Sequence, residues 1–357
     1  MGIIISHKSA LEYWRNWRLN KNAKIADFVN QRRISLPTNL PNRSIIRDGT
    51  PPELSYPISL LVGSQNAKRK SKIVQSRVYT GPTPKGCFIN IGDGLIVSSP
   101  PFCFFQMAGE LPLVKLIELG FEFCGSYSLL ALPANLKQNQ NPEDVQEDDI
   151  EGAYKNLSRH TKLSSYPQLL RVSQLYEHPQ LTNVKEIKTF IAQMKDVRGQ
   201  KKADRALRFI VDRSASPMET ILFMLLTLPY KLGGYGLPAP ELNKRIDIKN
   251  SGKYSGKLKA GKSYYVCDLF WAKEKLAIEY DSDIYHTGAD RIASDSEKRL
   301  ILAMLGITVV TVTNKQIRNR LEFENLVKLI AGKLHKRLWY KKPQFLIAER
   351  ELRDLLL

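Results

Sequence analysis

Two short apolar segments, Tyr264–Trp271 (YYVCDLFW) and Leu276–Asp281 (LAIEYD), carry acids at interior positions where strands ordinarily exclude them. The four residues between them, Ala272–Lys275, have the length of a hairpin loop. In that register Trp271 faces Leu276, and counting outward places Asp268 directly opposite Glu279. Directly opposed side chains of an antiparallel pair lie about 4.5–5.5 Å apart at Cβ, where like charges repel. Asp281, two residues past Glu279, shares the same face by the strand period. Three acids so placed either belong to an exposed, hydrated sheet face or hold a cation. Oxygen donors select a hard divalent ion, Mg²⁺ or Mn²⁺, so Asp268, Glu279 and Asp281 are the expected metal ligands.

Other residues could complete such a centre. Ser216-Pro-Met-Glu219 reads as a capping box with proline at the first helical position, which by itself accounts for the glutamate. An acid at a helix start can equally reach a neighbouring metal site. His286 follows the hairpin and is either a surface histidine or a group that activates water or protonates a leaving oxygen. Arg299 is spaced to pair with Asp295 along a helix or to meet a phosphate, and the adjacent Lys298 is a second phosphate candidate. The expected catalytic set is Asp268, Glu279, Asp281, Glu219 and His286.

The elements that must position these residues follow from periodicity. Ser216 to Leu228 reads as an apolar helix, and Asn243–Lys249 as a strand before the hairpin. A helix over 290–305 ends at Gly306, Ile307–Thr313 is a β-branched strand, and 323–339 is a final amphipathic helix. The order from 216 to 313 is helix, strand, strand, strand, helix, strand. The N-terminal part is expected as a smaller α+β domain over 1–137. It opens with a helix from His7 to about residue 30 and continues through a proline-rich irregular stretch over 34–57. Strands are expected at 58–62, 78–79, 87–91 and 95–98, the last two joined by a Gly92-Asp-Gly94 turn, with helices at 102–108 and 113–119. The acidic segment Gln138–Glu151 sets a linker over 138–180, and the second domain is expected over 181–357.

Composition narrows the partners. The formal net charge is +19, concentrated at the ends: residues 1–80 hold fourteen Lys and Arg against four acids, and residues 315–357 eleven against five. Basic ends around a near-neutral middle fit a polyanion, because each neutralised phosphate releases counterions. A basic protein with no ligand, or one on an anionic membrane surface, remains the alternative from charge alone. No apolar run reaches the length of a membrane span, and the start lacks the basic residues of a secretory signal. Four scattered cysteines without CxxC spacing argue against zinc ribbons and a disulfide framework, so a reducing cytoplasm is expected.

On these residues the chain resembles the PD-(D/E)xK nuclease superfamily, in the branch of the very-short-patch-repair (Vsr) endonucleases. The element order from 216 to 313 matches that family's restriction-endonuclease-like αβββαβ core. Asp268 stands as the aspartate of its second strand, Glu279 opens its third-strand element, and Glu219 is its helix glutamate. Asp281-Ser282, His286, Asp295 and Arg299 match a downstream pattern of the branch. Two positions depart from it. Asp281 replaces the usual lysine two residues after the glutamate, leaving His286 or Lys298 as substitutes, and Ser282 stands where relatives often have glycine. The segment Tyr79–Tyr127, with VSSPPFCFFQMA at its centre, resembles the C-terminal domain of AbiEi-type antitoxin regulators. The resemblance implies a Mg²⁺- or Mn²⁺-dependent endonuclease acting on nucleic acid, with DNA the favoured substrate and a protein partner possible through the N-terminal domain. The alternative is a nuclease-fold DNA-binding regulator, or a toxin–antitoxin or defence interaction protein, without turnover.

Overall fold

The computed structural model describes residues 2–18, 34–129, 176–248, 263–281, 289–339 and 342–357. The chain divides into two compact units, Met1–Asp212 and Arg213–Leu357.

The first unit is built on a five-stranded mixed sheet of β1 (Ile3–Ile5), β2 (Ile58–Val62), β3 (Val74–Val78), β4 (Phe88–Gly92) and β5 (Leu95–Ser98). Its order is β3-β2-β1-β5-β4, so the three-residue β1 is central, and all of its side chains are buried. The chain leaves β1 directly into α1 (His7–Trp17). Trp14 of α1 is fully buried and its indole N–H donates to the Ser98 carbonyl at 2.8 Å, tying the helix to β5. The expected Gly92-Asp-Gly94 hairpin forms, with all three residues at positive φ, the conformation that favours glycine. The helices are α2 (Arg43–Gly49), α3 (Pro100–Ala108), α4 (Leu113–Cys124), α5 (Val184–Ile191) and α6 (Gln200–Leu207). The stretch 34–57, expected to be irregular, contains α2, and the strand expected at 78–79 begins at Val74.

Two differences concern boundaries. The helical stretch expected to lead into the second domain forms two helices, α5 and α6, that belong to the first unit, so the division falls at 212/213 rather than at 181. The cause is burial: Ile187, Phe190 and Ile191 of α5, with Ala203, Ala206 and Leu207 of α6, are covered as these helices pack against α3 and α4. The acidic segment 138–151 and the remainder of the first expected helix, residues 19–33, lie outside the described residues.

Arg18 closes α4. It is 1% exposed and its guanidinium donates to the carbonyls of Glu122, Phe123, Gly125 and Tyr127. The Phe123 carbonyl also accepts the N–H groups of Leu181 and Thr182, and the Glu122 carbonyl that of Gly125, so the guanidinium adds donors to oxygens at and just past the helix C-terminus, and the cation meets the negative end of the helix dipole. An Arg18→Met protein is expected to lose about 1–3 kcal/mol of stability, since it removes several charge-assisted hydrogen bonds from one buried cation. Denaturant unfolding measures this; a loss below about 1 kcal/mol would mean that water replaces the guanidinium.

The second unit follows the expected order. It contains α7 (Pro217–Thr227), β6 (Glu241–Asp247), β7 (Tyr264–Trp271), β8 (Leu276–Asp281), α8 (Ala289–Met304), β9 (Thr308–Thr313), α9 (Asn314–Arg318), α10 (Arg320–Lys333) and α11 (Pro343–Leu356). The sheet order is β6-β7-β8-β9, antiparallel except for the parallel pair β8/β9. A parallel pair requires a crossover, and α8 supplies it. Helix α11 follows what the sequence suggests is the last helix. Its close approach to the turn after α7 requires Gly233, where a Cβ would lie 2.1 Å from the Ala348 carbonyl oxygen at a φ of +86°. Among the described residues no helix is long and apolar enough to cross a membrane.

Candidate active site

The β7–β8 hairpin has the register that the four-residue loop dictates: Trp271 pairs with Leu276, Phe270 with Ala277 and Leu269 with Ile278. Pairing between the two strands then stops, one position short of Asp268 and Glu279. Beyond it β7 continues against β6, and β8 continues against β9 through Glu279–Thr311, Tyr280–Val312 and Asp281–Thr313. The four-stranded sheet therefore splits between its two central strands at the two acids.

Asp268 does not simply oppose Glu279 as expected. Its carboxylate accepts the backbone N–H of Tyr280 at 2.7 Å, reaching across the split to β8 at the point where the β7–β8 ladder stops. Two acids held face to face would repel, and this bond gives one of them a dipole to rest on. Glu279 finds a different partner. Ala277 and Glu279 share a face of β8, and Lys298 lies three and four residues before Ile301 and Leu302 on α8. Leu302 packs with Ala277, Cys267, Phe270 and Ile307, and Ile301 packs with Tyr265. The same helix face thus brings the Lys298 ammonium to Glu279, where it donates to Oε2 at 2.6 Å. The other oxygen, Oε1, is buried and has no nitrogen donor among the described residues, with only the weak donor of the Cys267 thiol beside the carboxylate.

Glu219 enters from α7. Ser216 accepts the Glu219 N–H at 3.1 Å, as a cap should, but the glutamate side chain takes the N–H of Ala215, one residue before the position a capping box requires. It also accepts from Asn243 Nδ2 at 2.6 Å, and the same amide donates to the Arg213 carbonyl. Asn243 lies across from Asp268, between the pairs Leu242–Leu269 and Lys244–Cys267, with a left-handed φ of +47°. Asparagine adopts that conformation more readily than most residues, and a polar amide inside a strand was the available sequence signal for it.

The electrostatics bind the three acids into one group. Burial, and then the charge of Asp268, push Glu219 up to about 8. Burial and Asp268 push Glu279 up to about 7, against the pull of Lys298. Burial raises Asp268 as well, opposed by the Tyr280 N–H and Lys298. Strong displacement of several carboxyl groups in one place is characteristic of functional centres. Structural ion-pair networks also displace pKa values, but here Lys298 draws down only Asp268 and Glu279, while Glu219 is raised by burial and by Asp268.

The remaining expected residues are placed less centrally. Asp281 ends β8 opposite Thr313 and is half-buried. Arg299 follows Lys298 on α8 and is exposed. His286 lies outside the described residues. Among the described residues no three His, Cys, Asp or Glu side chains gather as a complete metal-binding set. The acids nonetheless suit a magnesium-like ion, which usually keeps several waters and takes only one or two protein carboxylates beside substrate phosphates. The buried Oε1 of Glu279, with no nitrogen donor among the described residues, is one oxygen free to take such an ion.

A pH dependence follows. Glu219 and Glu279 hold protons in the folded chain at pH values where the unfolded chain, near their ordinary 4.5, has lost them. Their contribution to stability is therefore greatest below the ordinary value and falls as pH rises through the folded values of about 7 and about 8. In EDTA, Glu219→Gln is expected to gain melting temperature relative to wild type as pH rises from about 5 to about 8. A growing deficit of the variant over that range would show an ionised glutamate that is already satisfied.

No protein-family model, curated protein or solved structure matches this chain.

Proposed function

We propose that the second unit is a Mg²⁺- or Mn²⁺-dependent phosphodiester hydrolase acting on nucleic acid, with DNA the favoured substrate. The observation that carries this reading is the split between β7 and β8, where the charge of Asp268 acts on both Glu219 and Glu279 and Lys298 pairs with Glu279. The αβββαβ element order is the one expected of a restriction-endonuclease-like core and supports the resemblance to Vsr-like nucleases.

Asp268 and Glu279 would hold the ion, and Asp281 at the end of β8 would add a ligand or orient a water. Once bound, a divalent ion polarises a phosphoryl oxygen and lowers the pKa of an attacking water. Asp268, anchored by the Tyr280 N–H, keeps one oxygen for that purpose. Lys298 holds Glu279 in place and presents a cation near the split, the position that the missing strand lysine leaves open. Glu219, with its proton retained near neutrality, is suited to hold or deliver a proton at the edge of the cluster. His286 remains a second proton carrier and Arg299 a phosphate contact within this proposal. The basic chain ends supply contacts to the phosphate backbone that do not depend on sequence.

The second reading, a binding protein of the same fold without turnover, rests on Asp281 standing where the strand lysine is usual. Supercoiled plasmid incubated with Mg²⁺, with Mn²⁺ and with EDTA separates the two. Nicking or linearisation that requires the ion supports the hydrolase; salt-sensitive binding with intact plasmid under all three conditions supports the binding protein.

A further inference from the structure

Between α10 and α11 the chain displays a tryptophan unlike the others. Trp14 and Trp271 are buried, and Trp17 is partly covered against Trp14, whereas Trp339 is 49% exposed. The Arg337 guanidinium carbon lies 4.6 Å from the Trp339 ring centre, and the Lys342 ammonium 5.5 Å. Lys336, Arg337 and Lys342 are exposed, and among the described residues none of them makes an ion pair with an acid. The segment is also held. The Trp339 backbone N–H donates to the Tyr230 hydroxyl at 3.1 Å, and Tyr230 packs edge-on against Phe345 of α11.

An exposed indole costs solubility unless it has a use, and cation–π contact at the surface repays only about 0.5–1 kcal/mol. An exposed ring under cations that pair with no acid among the described residues suits an unpaired nucleic-acid strand: the cations turn from the ring to the phosphates, and a base stacks in their place. We propose that Trp339, with Arg337 and Lys342, is a stacking platform for single-stranded nucleic acid. The inference deepens the reading above by assigning this unit a preference for an unpaired segment of its substrate. A duplex keeps its base faces stacked inward and can offer only phosphates to the same residues.

The test uses the full chain in EDTA, with a short oligothymidylate as probe and a duplex of equal length beside it. Tryptophan emission is expected to be quenched by the oligothymidylate. Trp339→Leu should lose most of that quenching and bind about 5- to 150-fold more weakly, the range that loss of one base stack implies. Trp339→Phe should recover much of the affinity, because it restores a ring without altering charge. Melting curves matching wild type would show that the variants fold. Unchanged affinity in Trp339→Leu, equal loss in Trp339→Phe and Trp339→Leu, or equal quenching by the duplex would overturn the proposal. The outcome is separable from the hydrolase reading: quenching without any metal-dependent cleavage would leave the platform standing and remove the enzyme.

Discussion

Asp268→Asn is expected to abolish plasmid cleavage, by about 10³-fold or more, while its melting temperature in EDTA equals or exceeds that of wild type. The first effect follows from the loss of an ion ligand, which forfeits several kcal/mol of charge stabilisation in the transition state. The second follows from the environment of the acid. Asp268 is raised by burial and in turn raises Glu219 and Glu279, so neutralising it relieves two neighbours. Asparagine keeps an oxygen that can still accept the Tyr280 N–H, so the split is not left with a new orphan donor. Loss of activity together with unchanged or improved stability is what a site organised for function predicts. A variant that melts well below wild type in EDTA would instead mark Asp268 as part of the scaffold.

Lys298→Met should fail differently. The ammonium and Glu279 are mostly covered, with side chains 23% and 17% exposed, and among the described residues the glutamate has no other cation paired with it. Removing the lysine leaves both Glu279 oxygens in a poorly hydrated pocket without a strong donor, so the variant is expected to lose about 1–3 kcal/mol in EDTA as well as about 10²-fold in cleavage. The stability loss should be largest at high pH, where Glu279 is ionised, because the pair is what draws its pKa back down. Adding Glu279→Gln should restore stability and not cleavage, the non-additivity expected of residues in one network. Lys298→Arg should recover most of the stability. If Lys298→Met cleaves as wild type does, the lysine is only a structural counter-ion.

The sequence exposes the hairpin because its information is local: two alternating segments and a four-residue loop fix the register, and the register is observed. It does not expose the split, which depends on where β6 and β9 take over pairing from the central strands. Lys298 is visible as a residue and concealed in its role. Its contact with Glu279 arises only when a helix face and a strand face are superposed through Leu302 and Ala277. Asn243 is hidden for the same reason, since its importance lies in reaching Glu219 from another element. In the first unit, Ile3–Ile5 is legible as an apolar run, but three residues cannot announce that they form the centre of a sheet.

Melting curves of wild type and Asp268→Asn, each with EDTA and with Mn²⁺, test the central claim most directly. An ion that binds the folded chain stabilises it by mass action, so wild type is expected to melt higher in Mn²⁺ than in EDTA, by about 3 kcal/mol at an ion concentration a hundredfold above its dissociation constant. Asp268→Asn should show no such rise. A wild-type curve indifferent to Mn²⁺, or a variant that responds as strongly as wild type, would contradict the assignment of these acids to a metal-dependent active site.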